Sequence, residues 1–177
     1  FICNGCGQLA SDANAKSCSA CDSHFLVSFH YYPLVEQIQQ VLLIPGVYQK
    51  MKKQRAAHRK DFQGTYYGKI LANETDDTFT MIVNIDGVVT KNKHLSLWPI
   101  TFMLNEIPFP FRRYCESILI GGAIAPTKHP SNKLFRTILN ILADDLRRLE
   151  DGVTYVIPNE SKRDMKFFLI GSCTDKP

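Results

Sequence analysis

At 177 residues and 45% hydrophobic side chains, the chain can build one domain of ordinary size with a real core, plus a small appendage. No run approaches the ~20 apolar residues of a membrane-spanning helix, so no membrane partner is expected. The net charge of +4 permits a nucleic-acid partner without arguing for one, and what matters is where the charge sits. Phe1 is not an initiator methionine, so the chain reads as an excised segment, and the lack of a signal peptide carries no weight.

The first local signal is a pair of CxxC knuckles, Cys3-x2-Cys6 and Cys18-x2-Cys21. Zinc takes four thiolates in a tetrahedron, and each CxxC turn presents two sulfurs on one side of a tight loop. Gly5 and Gly7 supply backbone freedom for the first knuckle. The intervening Ser11 to Ser17 is almost free of apolar residues, so metal binding has to supply the folding energy of this segment. Residues 1–30 are therefore expected to form a zinc ribbon with Cys3, Cys6, Cys18 and Cys21 as ligands. His24 and His30 are alternative ligands, and a pair of disulfides is the alternative chemistry. Cys115 and Cys173 lie beside apolar, strand-like runs and read as buried, inert thiols.

Residues 31–61 read as a helical, basic connector. Val35, Ile38, Val41 and Leu42 recur at helical spacing, and Pro45-Gly46 breaks that helix. A second helix is predicted from Val47 to about Lys60. It carries Lys50, Lys52, Lys53, Arg55, Arg59 and Lys60, the densest positive charge in the chain. Lys52, Arg55 and Arg59 share a face, with Lys53 and Lys60 beside it. Such a stripe can neutralise DNA phosphates without reading sequence, or can simply be a solvated helix face.

From Phe62 onward the pattern turns to strands. Thr78 to Asp86 alternates, with Phe79, Met81, Val83 and Ile85 on one face and Asp86 on the more polar one. His94 to Asn105 and Ser117 to Ala125 are the second and third strands, and short connections favour an antiparallel meander. Pro126 and Pro130 break the chain and Ser131 is a plausible N-cap. Phe135, Ile138, Leu139, Leu142, Leu146 and Leu149 then mark one long amphipathic helix, stopped by Gly152. Met165 to Cys173 is a last strand, leading into Asp175. After a helical crossover it should pair parallel to an earlier strand.

This β-β-β-α-β order, with a carboxylate at the end of its first and last strands, matches the first part of a ribonuclease H-like fold. Residues 62–177 are read as the N-terminal part of such a domain, an α/β architecture. Asp86 and Asp175 would form its acidic pair and hold Mg²⁺ or Mn²⁺ ions that clamp the oxygens of a phosphodiester exchange. Asp-Gly is also a common turn pair, which is the bland reading of Asp86. Trp98 reads as core, Glu106 as a turn or capping residue, and Arg112-Arg113 as either DNA contacts or a surface-loop cap.

Several runs carry a resemblance. They are the paired knuckles, Pro33-Leu34-Val35-Glu36-Gln37, Phe62-Gln63-Gly64-Thr65-Tyr66-Tyr67, Asn84-Ile85-Asp86-Gly87-Val88, Ser96-Leu97-Trp98-Pro99-Ile100, Asn105-Glu106-Ile107-Pro108 and Cys173-Thr174-Asp175-Lys176-Pro177. In this order they resemble transposases of the CACTA (En/Spm) group and their animal relatives, the transposase domain-containing proteins. The resemblance implies a DDE-type polynucleotidyl transferase with Asp86 and Asp175 as its first two acids, and a third acid beyond Pro177. It further implies transposon-end and target DNA as partners, a nuclear location, and leaves a homo-oligomer open. Lys52, Lys53, Arg55, Arg59 and Lys60 are the expected DNA contacts. The alternative is a domesticated or decayed copy, a zinc-dependent DNA-binding or interaction module without catalysis.

Overall fold

A computed structural model of the chain describes residues 1–10, 12, 15–89, 96–126 and 129–173. Its centre is a mixed, curled sheet. The antiparallel meander consists of β4 (Thr78–Ile85), β6 (Ser96–Leu104) and β7 (Ile118–Ile124), numbering strands along the whole chain. Helix α4 (Asn132–Asp151) then crosses over, and the chain returns through β8 (Val153–Tyr155) and β9 (Arg163–Cys173). β9 pairs parallel to β4, from Thr78↔Lys166 to Asn84↔Cys173. The sheet order is β3-β7-β6-β4-β9-β8, where β3 is Phe29–Tyr31, and the two-residue β5 (Val88–Val89) pairs with β6. The expected meander and the parallel return are thus both present. Among the described residues no helix is long and apolar enough to cross a membrane.

Side-chain alternation explains the layers. Phe79, Met81 and Val83 of β4, Ile100, Phe102 and Leu104 of β6, and Met165 and Phe167 of β9 are buried together. α4 lays Leu134, Ile138, Leu142 and Leu149 into the same core, and its N-cap Ser131 accepts from the Leu134 N–H as the sequence suggests. α1 (Leu34–Leu42) adds Leu34, Ile38, Val41 and Leu42. Two glutamines of α1 stand in for missing strands. Gln37 pairs with both backbone groups of Ile120 at 2.8 Å, and Gln39 with both of Val156 at 2.9 Å.

The segment Phe62 to Asn73 departs from the strand expectation. After α2 (Val47–Asp61) it forms a third helix, α3 (Tyr66–Asn73), capped by the Thr65 side chain accepting from the Gly68 N–H. Gly68 is indispensable here, because a Cβ would fall 2.0 Å from the Phe62 carbonyl oxygen. β3 and β8 also lie outside the sequence expectation; each is only three residues long, too short for alternation to register.

A buried polar network joins α2, α3 and the sheet. Glu106 is fully buried just after β6. It accepts from the Thr80 N–H at 2.9 Å, the Thr80 hydroxyl at 2.8 Å and the Tyr67 hydroxyl at 2.8 Å. The Tyr67 oxygen lies 2.6 Å from His58 Nδ1, and His58 Nε2 lies 2.7 Å from the Gln54 amide. Glu106 is therefore far more than a turn residue: it fastens the loop after β6 to the start of β4. Burial raises its proton affinity, and the donors from Thr80 and Tyr67 only partly pull it back.

A raised folded pKa means the folded state keeps a proton that the unfolded chain has lost. The contribution of Glu106 is thus fully present below its ordinary value of 4.5 and is lost as the pH climbs through the folded value. Glu106→Gln cannot titrate, yet its amide can accept from the Thr80 N–H and donate to the neighbouring hydroxyl oxygens. Urea unfolding from about pH 4 to 8 should show the variant gaining on the parent as pH rises. A difference between the two proteins that stays flat with pH would refute the assignment.

Candidate metal centre and nucleic-acid face

The two knuckles converge. The sulfurs of Cys3, Cys6, Cys18 and Cys21 all lie within 4.8 Å of one another, a cluster able to bind a metal ion. The Cys3–Cys21 and Cys6–Cys18 separations are both 3.6 Å. Disulfide sulfurs would stand ~2.05 Å apart, which rules out that alternative. A tetrahedron with metal–sulfur distances of ~2.3 Å has edges of about 3.8 Å, close to what is found. The four thiols therefore fit a four-thiolate metal. Cys3 is prepared for it. Burial opposes its charge, but the Cys6 and Gly5 N–H groups and the thiols of Cys21 and Cys6 outweigh burial and lower it to about 6. Cys21 moves the other way. The Ser23 N–H favours its charge, but the thiols of Cys6 and Cys3 dominate and push it up to about 12, so the protons are shared across the cluster. His24 binds the Lys16 carbonyl and His30 sits in β3, so neither joins the ligand set.

The knuckles are docked on α4. Asn4 accepts from the Ser131 N–H at 2.7 Å and donates to the His129 carbonyl at 3.1 Å, and Thr137 donates to the Gly7 carbonyl at 2.7 Å. Gly7 has φ +81, and a Cβ there would stand 2.8 Å from the Lys133 carbonyl oxygen. This close approach, together with the left-handed backbone, requires glycine. β1 (Ile2–Cys3) and β2 (Leu26–Val27) form a two-stranded sheet whose Ile2 and Val27 belong to the main core.

Asp86 follows β4 directly, exposed and without an ion-pair or hydrogen-bond partner among the described residues. Its neighbour Gly87 is set by packing, because a Cβ would fall 2.7 Å from the Trp98 indole. Trp98 itself packs on Phe135 and His129, as a core residue would. Asp175 lies outside the described residues.

The basic helix divides. Arg55 is only 2% exposed, which excludes it from the DNA contacts expected of it. Its Nε donates to the Thr78 carbonyl at 2.8 Å, Nη1 to Asp76 at 3.1 Å, and Nη2 to the carbonyls of Leu71, Glu74 and Thr75. Its row explains the burial: Val47, Met51 and Arg55 are four residues apart on the inward face of α2. Lys52 is half-buried in an ion pair with Asp77 at 3.3 Å. Lys53, Arg59 and Lys60 remain exposed. Arg59 and Lys60, with Lys69 of α3, line a cavity of about 640 Å³ between the two helices.

Cys115 and Cys173 are exposed rather than buried. Cys115 opens a 3₁₀ turn on the surface loop between β6 and β7, and Cys173 ends β9 past the core. Arg112 caps its own loop, donating to the carbonyls of Ile107 and Asn105.

Arg55→Gln leaves several buried carbonyls unsatisfied and should lower stability by about 3–5 kcal/mol, read from urea unfolding. Loss of nucleic-acid affinity without loss of stability would reinstate Arg55 as a surface contact.

A family model described as a protein of unknown function, DUF1258, matches residues 1–158. No curated protein matches the chain.

Proposed function

The chain belongs to the DUF1258 family, and we propose that it is a nucleic-acid-processing module built on a ribonuclease H-like sheet, of the DDE transposase type. One observation carries this reading: the parallel register of β4 and β9 inside the order β7-β6-β4-β9, ending at Asn84↔Cys173. Asp86 and Asp175 each stand two residues further along the sequence from those partners. Two carboxylates at the carboxyl ends of adjacent parallel strands are the ligand set for divalent ions in phosphodiester chemistry. When bound, such ions lower the pKa of the attacking water or hydroxyl and neutralise charge on the leaving oxygen. Asp86, exposed and unpaired among the described residues, is free to offer its oxygens.

The cysteine cluster supports zinc as a structural ion, because four sulfurs and no open position make a closed site. Lys53, Arg59 and Lys60 supply phosphate contacts in place of the larger set expected from the sequence. The convergence of the cysteines also favours a second reading, a zinc-dependent nucleic-acid-binding module without catalysis, located in the nucleus.

One measurement separates these readings, and a second tests the zinc that they share. Water-proton relaxation should report weak Mn²⁺ binding to the parent and its loss in Asp86→Asn and Asp175→Asn. Equal binding by parent and Asp86→Asn would remove the catalytic reading and leave the second. Protein purified without chelator should contain about one zinc per chain, and Cys6→Ser should release it and loosen residues 1–30 from α4. A metal-free chain with the same stability would end the zinc assignment.

A further inference from the structure

The loop between β6 and β7 exposes aromatic rings among cations. Phe109 is 60% exposed and Tyr114 50%, with Phe111 at 36%. The guanidiniums of Arg112 and Arg113 lie 4.9 and 5.1 Å from the Phe109 ring centre. Lys50 Nζ lies 3.8 Å from the centre of Phe111, whose ring meets Tyr114 edge-on at 5.8 Å. Phe111 is the ridge between two cavities. One, of about 350 Å³, takes Lys50, Lys53 and Gln54 from α2. The other, of about 700 Å³, takes Arg113, Tyr114 and the carboxylate of Glu116.

We propose that this surface binds single-stranded nucleic acid, with unpaired bases stacking on Phe109, Phe111 and Tyr114 and phosphates paired to Lys50, Lys53 and Arg113. The chemistry selects this occupant. A duplex hides its base faces in its own stack, so exposed rings offer it little. A purely apolar partner would leave the cations unpaired. An unpaired strand supplies both π faces and regularly spaced negative charge, and it tolerates any sequence because every base has a π face. Glu116 opposes an anion at one margin, where Arg113 lines the same cavity. The ridge is also rigid, since Arg112 is tied to the Ile107 and Asn105 carbonyls beneath it.

This inference rests on the nucleic-acid part of the proposed function and not on its phosphodiester chemistry. The patch lies near the start of β4, whereas Asp86 follows its end. Eight strand residues separate them by roughly 25 Å, so the strand held here is not the one at Asp86 unless it runs the length of the sheet.

The test uses the full chain, loaded with zinc, and fluorescence anisotropy of a labelled 20-nucleotide single strand (about 20, long enough for several OB-type sites) and its duplex. Phe109→Ala with Tyr114→Ala should weaken single-strand binding at least roughly tenfold and leave duplex binding within about twofold. Both side chains are exposed, and an unchanged unfolding midpoint confirms the fold. Phe109→Trp should retain single-strand affinity, and its fluorescence should be quenched on binding. Equal loss for both nucleic acids, or no loss, or no quenching, overturns the proposal. Arg59→Gln with Lys60→Gln, at residues that line a different cavity, reports on the broader reading: if the duplex binds this variant as well as the parent, those phosphate contacts of α2 are refuted independently of the aromatic patch.

Discussion

A single buried guanidinium organises one end of this molecule. Arg55 gathers carbonyls from the end of α3 and from the turn leading into β4, groups that neither a helix nor a sheet ladder can satisfy there. Without it the C-terminus of α3 would present unpaired acceptors to the interior. Its charge is balanced by Asp76, and Glu106 stands close enough for its field to be felt. Arginine suits this role because its donors are fixed in a plane and its charge does not leave on burial. The Glu106 network continues the same logic outward through Tyr67 and His58 to Gln54. α2, α3, β4 and the loop after β6 are therefore tied together by one polar network, and the aromatic ridge lies on that loop.

The other end of the sheet is built differently. Among the described residues Asp86 has no polar tie, and apolar packing by Trp98 against Gly87 sets the turn. The cysteine cluster contributes from a third direction. Asn4 and Gly7 of its first knuckle hold the N-cap and second turn of α4, the crossover that makes the β4–β9 pairing parallel. The cysteine cluster and the parallel strand pair are thus joined through one helix.

Much of this was legible in the residues, for identifiable reasons. The cysteine knuckles announce themselves by local spacing, and the long helix and the meander by periods of 3.6 and 2. The parallel return follows from the crossover. What escaped depends on contacts far apart in sequence. Charge density on α2 suggested a DNA stripe, but the row Val47, Met51, Arg55 continues an apolar face inward, and the Asp76-Asp77 pair is its acidic counterpart. Glu106 looks like a turn residue because its donors come from Tyr67 and Thr80, far upstream. α3 hides behind two glycines and paired tyrosines, and reveals itself only through the Thr65 cap. Cys115 is exposed because it opens a surface turn before β7, and Cys173 because β9 outruns the core, neither of which pattern alone locates.

The glutamines of α1 bear on a hazard common to open sheets. A free strand edge is a template for another chain, and short outer strands such as β3 and β8 leave part of their longer neighbours uncovered. By clasping Ile120 and Val156 with side-chain amides, Gln37 and Gln39 spend backbone groups that an incoming strand would need. Loss of either amide, by substitution with leucine or by slow deamidation to a carboxylate, would expose a donor or repel an acceptor at the sheet margin. The first symptom of such damage would be sticky, concentration-dependent clumping, well before any change in what the protein binds.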